Sequence, residues 1–471
     1  MHRRDLMATA GSLAAALTIG AGGMVAKASQ LQPLVRLRDR LRGAIYTPND
    51  AGYFEARRGR GTTPVQNRSP AAIVQPKCPD DIAYALDFAA SHGLEISVRS
   101  GGHDLLGAST TATGLLIDLS SMSVVSVDPG TGLARVGAGT RAGPLTAAAA
   151  AHGRAPTLGM NPNVGVGGLT LGGGMGWLSG KYGATVDNLL AVDLVTASGR
   201  AIRADANENP ELFWALRGGG GNFGVATAFT YRTHPVYHVL AGNVGYKVDP
   251  RKFLVFLRDF LADSPDELDL GVLFTLGSSP TAIVRLCWSG AIEEGERAIL
   301  PLRRYAPAVI DTIKPQTYLG FTEDAPHHDN MFLRGGEFDG LSDEVIDAFA
   351  GVIDKGGPKD CLVGVLHYLH GALCRVPSGA TPFIREPGHI LYNVVAPWEG
   401  LVRQTDKVDW ALAASEALRH VNSSKIYINY LSYEGGSYVR DAFGPHYDRL
   451  LAVKRKYDPD NIFHNNRNIK S

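Results

Sequence analysis

Short apolar runs separated by glycine-rich loops organise the first half of the chain. Leu94-Glu95-Ile96-Ser97-Val98 reads as a buried strand, and so do Gly114-Leu115-Leu116-Ile117-Asp118-Leu119 and Ala134-Arg135-Val136-Gly137-Ala138-Gly139; each is strand length and bounded by turn residues. Pro79-Asp80-Asp81 opens a helix with Ile82, Leu86 and Ala89 on one face, and Gly93 ends it. Proline and carboxylates suit a first turn whose N–H groups lack partners, and glycine suits the stop. An alanine-rich run from about Ala142 to Ala151 predicts a second helix. Leu189–Val195 and Ala201–Ala204 pair across Ser198-Gly199 as a hairpin. Pro210–Leu216 predicts a short helix and Val225–Thr233 a strand.

The pattern changes after about residue 237. Strand-like runs Gly271–Leu276 and Ala282–Trp288 alternate with helices around Glu294–Tyr305 and Asp343–Ile353, and the glycine clusters thin out. This predicts an α+β unit with an antiparallel sheet over 237–420.

A chain of 471 residues is long enough for two cores. Lysine plus arginine (46) equals aspartate plus glutamate (46), so no net field draws nucleic acid or an acidic membrane. The four cysteines, Cys78, Cys287, Cys361 and Cys374, form no Cys-x-x-Cys pair, which excludes zinc-ribbon and thioredoxin-like patterns and leaves disulfides open. At the N-terminus Arg3-Arg4 precede an apolar stretch from Ser12 to Val25, and Ala26-Lys27-Ala28 offers a cleavage site. Twin arginines with a weakly apolar core look like a Tat signal over 1–28, with an ordinary secretory signal as the alternative. The expected location is therefore secreted or periplasmic, with the Tat machinery as export partner. The stretch is too short and glycine-rich for a membrane span.

The chemistry concentrates in three glycine clusters. The first, Arg99-Ser100-Gly101-Gly102-His103-Asp104, follows a strand. Two glycines there let the backbone approach a ligand and turn N–H groups toward an anion such as pyrophosphate. The second runs from Gly159 through Asn161, Val164 and Gly168 to Gly173, Gly174, Gly176 and Trp177. So many glycines suit neither a helix interior nor an ordinary strand, but they suit a chain threaded past a large planar cofactor. The third contains a formal Gly-x-Gly-x-x-Gly, Gly219 to Gly224. A helix precedes it and a strand follows, the reverse of a dinucleotide fingerprint.

Together these clusters resemble the berberine bridge enzyme-like branch of the vanillyl-alcohol oxidase/p-cresol methylhydroxylase superfamily of FAD-linked oxidoreductases. The resemblance covers about residues 66–236 and resumes at Tyr427-Ile428-Asn429-Tyr430 and Tyr457-Asp458-Pro459-Asp460-Asn461-Ile462-Phe463. It implies an α+β, two-domain vanillyl-alcohol oxidase-like fold. An FAD-binding domain would span 29–236, a substrate domain with antiparallel sheet and helices 237–420, and a C-terminal segment, 421–471, would complete the first domain and the active site. It implies FAD as cofactor, pyrophosphate on the loop from Arg99 to about Ser109, and cofactor contacts from Arg99, Ser100, Gly101, Gly102, His103, Asp104, Ser109, Asn161, Val164, Gly168, Gly173, Gly174, Gly176 and Asn465.

In that family the histidine matching His103 bonds covalently to the flavin 8α-methyl. Many members add a second bond from a cysteine; the matching position here is Asn161, so His103 is the single expected link. The residue matching Val164 lies near flavin C4a, where a small side chain leaves room for dioxygen, which favours an oxidase over a dehydrogenase. For the base, the resemblance points to a tyrosine, Tyr430 or Tyr427. On a strand, Tyr427 and Asn429 would share one face and Tyr430 the other. A free tyrosine has a pKa near 10, so a nearby cation or a concerted transfer is required. The glutamate base used elsewhere in the family matches a place near Ala380, before Thr381-Pro382-Phe383, where no acid stands.

His327-His328-Asp329 reads as a solvated loop and no metal site is expected. His367 and His370 flank Tyr368 on a strand-like run and face either the pocket or the sheet. The expected function is an exported FAD-dependent oxidase that takes hydride from an alcohol-type small molecule and uses O2 as acceptor. A dehydrogenase with another acceptor and a flavin-binding protein without turnover are the alternatives.

Overall fold

The computed structural model describes residue 34 and residues 36–58, 68–104, 107–324, 330–400, 404–423, 425–430 and 436–470. The signal segment 1–28 and His327-His328-Asp329 lie outside the described residues.

Two sheets form the first body. Strands β1 (Ala44–Tyr46), β2 (Ala72–Gln75), β3 (Ile96–Arg99) and β4 (Leu115–Asp118) pair in the order β1-β2-β4-β3. β4 runs parallel to both β2 and β3, and β1 joins antiparallel. The crossover between β2 and β3 is the predicted helix, Pro79–Ser91, whose buried face carries Ile82, Ala85, Leu86 and Ala89. Strands β5 (Val125–Val127), β6 (Leu133–Gly137), β7 (Leu189–Val195), β8 (Ala201–Asp205) and β9 (Val225–Arg232) make an antiparallel sheet in the order β5-β6-β9-β7-β8. The predicted hairpin is β7–β8, with Val195 opposite Ala201.

One apolar core joins both sheets, from Val74 and Ile117 to Val192 and Phe229. The C-terminal helix Tyr447–Tyr457 and the tail as far as Ile469 pack into the same core through Tyr447, Leu450, Phe463 and Ile469. Buried Lys454 ties the two together, donating to Asp458 Oδ2 (2.6 Å) and to the carbonyls of Asn222 and Phe463. The chain thus returns to its first half.

The second body is one eight-stranded antiparallel sheet. It comprises β10 (His238–Lys247), β11 (Leu268–Thr275), β12 (Thr281–Trp288), β13 (Ile310–Asp311), β14 (Lys314–Thr317), β15 (Asn330–Phe338), β16 (Leu362–Tyr368) and β17 (Ile390–Trp398). The order is β13-β10-β12-β11-β16-β17-β15, and β14 also pairs with β10. Alternation sets its two faces. Leu268, Leu270, Val272 and Phe274 of β11 enter a core shared with helices Pro250–Ala262, Asp343–Lys355 and Thr405–Ala417. Asp269, Gly271 and Leu273 therefore point to the other face, toward the first body. Asp269 accepts the Gly180 N–H there, at 3.1 Å.

Two local expectations need correction. The helix expected over 294–305 is two helices, Ile292–Ala298 and Leu300–Arg303, with Pro301 in the first turn of the second; proline supplies no N–H to carry a helix through. The Tyr427–Tyr430 segment is a turn, closed by Tyr430 N–H donating to the Tyr427 carbonyl at 2.8 Å, and not a strand.

Candidate functional site

The first glycine cluster begins where β3 ends. Arg99 is only 4% exposed. Its guanidinium pairs with Asp118 Oδ2 at 3.0 Å and donates to the carbonyls of Ala56 and Arg57. That side chain anchors the strand end, so any anion contact from Arg99 falls to its backbone. Ser100 Oγ donates to the Ala138 carbonyl (2.6 Å) and accepts from Gly167 N–H (3.2 Å), which stitches the loop to the second cluster. Gly101 and Gly165 meet backbone to backbone, and a Cβ on either would overlap the other's N–H. Gly102 takes the left-handed conformation, φ +67°. Half-buried His103 follows. Asp104 is held by Arg467 at 3.4 Å and by Ser109 N–H at 3.3 Å.

In the second cluster Asn161 Oδ1 accepts from Asn163 N–H (2.9 Å), a self-capped turn that presents half-buried Val164. Gly168 lies on the exposed side of helix Val166–Leu171 with no atom near the position of a Cβ. Gly173 and Gly174, both at positive φ, reverse the chain. Gly174 N–H donates to Tyr427 Oη at 2.9 Å, and Gly176 N–H to Ser179 Oγ at 2.9 Å. Asn465 donates to Ser97 Oγ and to the Thr110 carbonyl (2.9 Å), so its amide fastens the C-terminal tail to β3.

Ser109 Oγ, Thr110 Oγ1 and Thr140 Oγ1 are buried with no hydrogen-bond partner among the described residues. Buried hydroxyls are normally satisfied, and leaving one unpaired costs about 1–3 kcal/mol. Two of the three follow the first cluster, and Thr140 accepts from Val166 N–H through its carbonyl, beside the second. A polar, anion-bearing ligand laid along both clusters would satisfy them. The residues present thus fit FAD. Thr110 and Thr140 carry no sequence signal: Thr110 is one of several hydroxyl residues in Ser109-Thr110-Thr111-Ala112-Thr113, and Thr140 stands alone after a strand.

The turn brings both candidate tyrosines to one place, with ring centroids 5.1 Å apart and nearly perpendicular. Tyr427 Oη accepts from Gly174 N–H and from Asn429 Nδ2 (2.8 Å). Burial pushes its pKa up to about 12. Tyr430 Oη lies 3.1 Å from His367 Nε2. Burial also pushes Tyr430 well above the ordinary phenol range, with Tyr427 adding to the rise and Asn393 opposing it. His367 is moved the other way, down to about 4, by burial alone. At neutral pH both phenols keep their protons and the imidazole is uncharged.

His367 reaches this face through an irregularity in β16. Val365 opposes Tyr392 and His367 opposes Leu391, so one extra residue is accommodated between them. A bulge turns the residues after it to the opposite face. Val365 therefore stays in the helix-covered core while His367 turns toward Tyr430. Glu337 of β15, opposite Leu391, lies on the same face. It is buried, with Oε1 2.7 Å from His389 Nδ1. Burial raises the Glu337 pKa, and the carboxylate raises that of His389. A single acid near the end of the mixed strand Asn330–Phe338 gave no sequence signal. Ala380 sits elsewhere, its carbonyl accepting from Arg217 Nη2 at 2.9 Å. His370 follows β16 and approaches Asp269 at 3.9 Å. Among the described residues no three His, Cys, Asp or Glu side chains gather as metal ligands, and the four cysteines are unbridged.

Comparison with known proteins decides the family. Residues 70–205 match the family described as FAD binding domain, and residues 426–470 match berberine and berberine like. The (R)-6-hydroxynicotine oxidase of Paenarthrobacter nicotinovorans is 31% identical over 91% of this chain and 97% of its own. The chain belongs to the berberine bridge enzyme-like family. It is an FAD-dependent oxidoreductase with the vanillyl-alcohol oxidase-like fold. The crystal structure of 6-hydroxy-D-nicotine oxidase from Arthrobacter nicotinovorans superposes with a TM-score of 0.84 at 30% identity, covering 91% of this chain and 98% of that one. Berberine bridge enzyme from Eschscholzia californica shares the fold with a TM-score of 0.81 at 21% identity, covering 93% and 98%. In this family member, the two matched segments include the first two glycine clusters and the tyrosine turn.

Proposed function

We propose that the protein is an exported oxidase for a small-molecule alcohol, with FAD tethered by His103 alone and Tyr430 as the group that receives the substrate proton. The observation that carries this reading is the difference between the two tyrosine hydroxyls. Tyr427 Oη is engaged by two donors that belong to the cofactor-side scaffold, whereas Tyr430 Oη meets a neutral imidazole. Tyr427 thus positions the second glycine cluster, and Tyr430 is left to move a proton.

The chain's other residues bind, orient and shield. Backbone N–H groups around Gly101 and Gly102, with the Ser109, Thr110 and Thr140 hydroxyls, would hold the pyrophosphate and its neighbours. His103 on the same loop would make the single covalent link, since Asn161 provides no thiol. Val164 would leave room for dioxygen. When bound, the flavin accepts hydride from the substrate carbon and passes the electrons to O2, which leaves as hydrogen peroxide. The sheet face bearing Leu391, Asn393 and Gly271 roofs the site and excludes water. The Arg3-Arg4 segment supports Tat export, which lets a cofactor be installed before the folded chain crosses a membrane.

The kinship with 6-hydroxynicotine oxidase favours a second reading, oxidation at a carbon bearing an amine. A neutral amine can release hydride without losing a proton first. A panel of alcohols and amines, scored by anaerobic bleaching of the flavin and then by oxygen uptake, separates the two. Bleaching by alcohols followed by oxygen uptake supports the first reading. Bleaching by amines alone replaces it with the second. Bleaching without oxygen uptake identifies a dehydrogenase.

A further inference from the structure

We propose that His367 is the terminal proton acceptor of the reaction, taking the Tyr430 proton at Nε2 as Tyr430 receives the substrate's. This rests on the assignment of Tyr430 above and extends it to a residue of the opposite domain. The geometry supports the transfer. Tyr430 Oη and His367 Nε2 are 3.1 Å apart, within hydrogen-bond reach. The two rings lie 29° from parallel with centroids 6.1 Å apart, so contact is through the polar edges and not by face stacking.

Both groups are otherwise poorly suited to the task alone. A phenol held above its ordinary pKa by burial cannot wait as a phenolate at neutral pH. An uncharged buried imidazole can accept a proton, and its lone pair is directed at the phenol if its single N–H is on Nδ1. Joined, they need no resting charge. The substrate O–H bond breaks as an O–H bond forms on Tyr430. The original Tyr430 O–H breaks as an N–H forms on His367, and the substrate C–H pair leaves as hydride to the bound flavin. One proton then resides on His367, to be released when the electrons move on to the acceptor.

The surroundings keep the relay isolated. Along the sheet row, Arg285 of β12 opposes Gly271 of β11, His367 of β16 opposes Leu391 of β17, and Leu391 opposes Glu337 of β15. Arg285 and Glu337 are each two strands from His367, about 10 Å at ordinary strand spacing. Arg285 is occupied with Phe321 and Asp324, and Glu337 with His389. Asp269 of β11, on the same face two residues before Gly271, is engaged by the Gly180 N–H, and Tyr427, from the turn, lies against Tyr430. Gly271 packs directly on the bulged backbone of β16, where a Cβ would press on the Leu366 and Val365 carbonyls at 3.3 and 3.4 Å.

The test uses FAD-loaded enzyme and three proteins: wild type, His367→Gln and Tyr430→Phe. Glutamine keeps a hydrogen-bonding group near the Nε2 position but cannot take up a proton. His367→Gln is expected to retain its flavin and KM while anaerobic flavin reduction falls about a hundred- to ten-thousand-fold. From about pH 6 to 9 the wild-type rate should be flat, whereas the variant's should climb about tenfold per pH unit, because only ionised Tyr430 can then act. In ¹⁵N-histidine spectra of resting wild-type holoenzyme, His367 Nε2 should be unprotonated, and Tyr430→Phe should shift its signal. A proton on Nε2, or a His367→Gln variant with wild-type rate and pH profile beside a slow Tyr430→Phe, overturns the relay and leaves the Tyr430 assignment standing. A wild-type rate in Tyr430→Phe overturns both.

Discussion

Tyr427 and Tyr430 are three positions apart on one turn, and their hydrogen bonds predict opposite phenotypes. Tyr427→Phe deletes the acceptor for Gly174 N–H and Asn429 Nδ2. Leaving two donors unpaired in a buried site should cost about 1–3 kcal/mol each, read as a lower Tm and looser flavin binding. Tyr430→Phe removes an oxygen whose hydrogen-bond partner is His367. It should keep the flavin and the fold and lose about a hundred- to ten-thousand-fold in reduction rate. A large rate loss in a fully stable Tyr427→Phe protein would transfer the base role to Tyr427. Val164→Leu should slow reoxidation by air while anaerobic reduction stays near wild type; equal reoxidation in stopped flow removes Val164 from oxygen control. The sequence marked these residues by resemblance to a family, but the direction of each side chain was hidden. Arg99 illustrates the limit. A cation before a Gly-Gly loop reads as an anion ligand, yet in the fold its guanidinium is consumed by Asp118 and two carbonyls.

At the scale of elements, the legible parts were those with a period or a forced conformation. The helix Pro79–Ser91 and the β7–β8 hairpin follow from residue type; the backbone contact of Gly101 with Gly165 does not, since the glycines read as making room for a ligand. Tyr427-Ile428-Asn429-Tyr430 misled because an aromatic–aliphatic run has strand composition, and only the Tyr430 N–H bond to the Tyr427 carbonyl makes it a turn. The β16 bulge was likewise invisible, since which residue is extra depends on β17. The contact between Gly180 and β11 gives an element-scale prediction. Burial raises the Asp269 pKa to about 7, against backbone donors that lower it. A carboxyl with its folded pKa above its unfolded one binds more protons when folded, so stability falls as pH rises from about 4 toward 7. Asp269→Asn keeps an acceptor for Gly180 and loses the charge. Relative to wild type it should gain Tm at pH 8 and little at pH 4. An equal difference at both values would show that Asp269 carries no buried charge.

Over the whole molecule, the C-terminal tail enters the core of the first two sheets while the turn just before it faces the eight-stranded sheet. That return explains why the tail holds a family signature far from the glycine loops. The layered topology was legible as alternating strand and helix patterns, but β10 and β17 were not, because strands buried on both faces lose the polar alternation that marks them; β15, with Arg334-Gly335-Gly336-Glu337 in it, has no strand alternation to read. A single tether at His103 predicts one flavin-bearing peptide after denaturation and proteolysis, containing His103, and none containing Asn161. Release of all flavin by acid precipitation contradicts the tether. The central claim, an oxidase, is tested most directly by reducing the holoenzyme with substrate without oxygen and then mixing it with air-saturated buffer. Rapid return of the oxidised flavin spectrum, with one hydrogen peroxide formed per flavin, is the expected result. A flavin that stays reduced in air but is reoxidised at once by a quinone would contradict it.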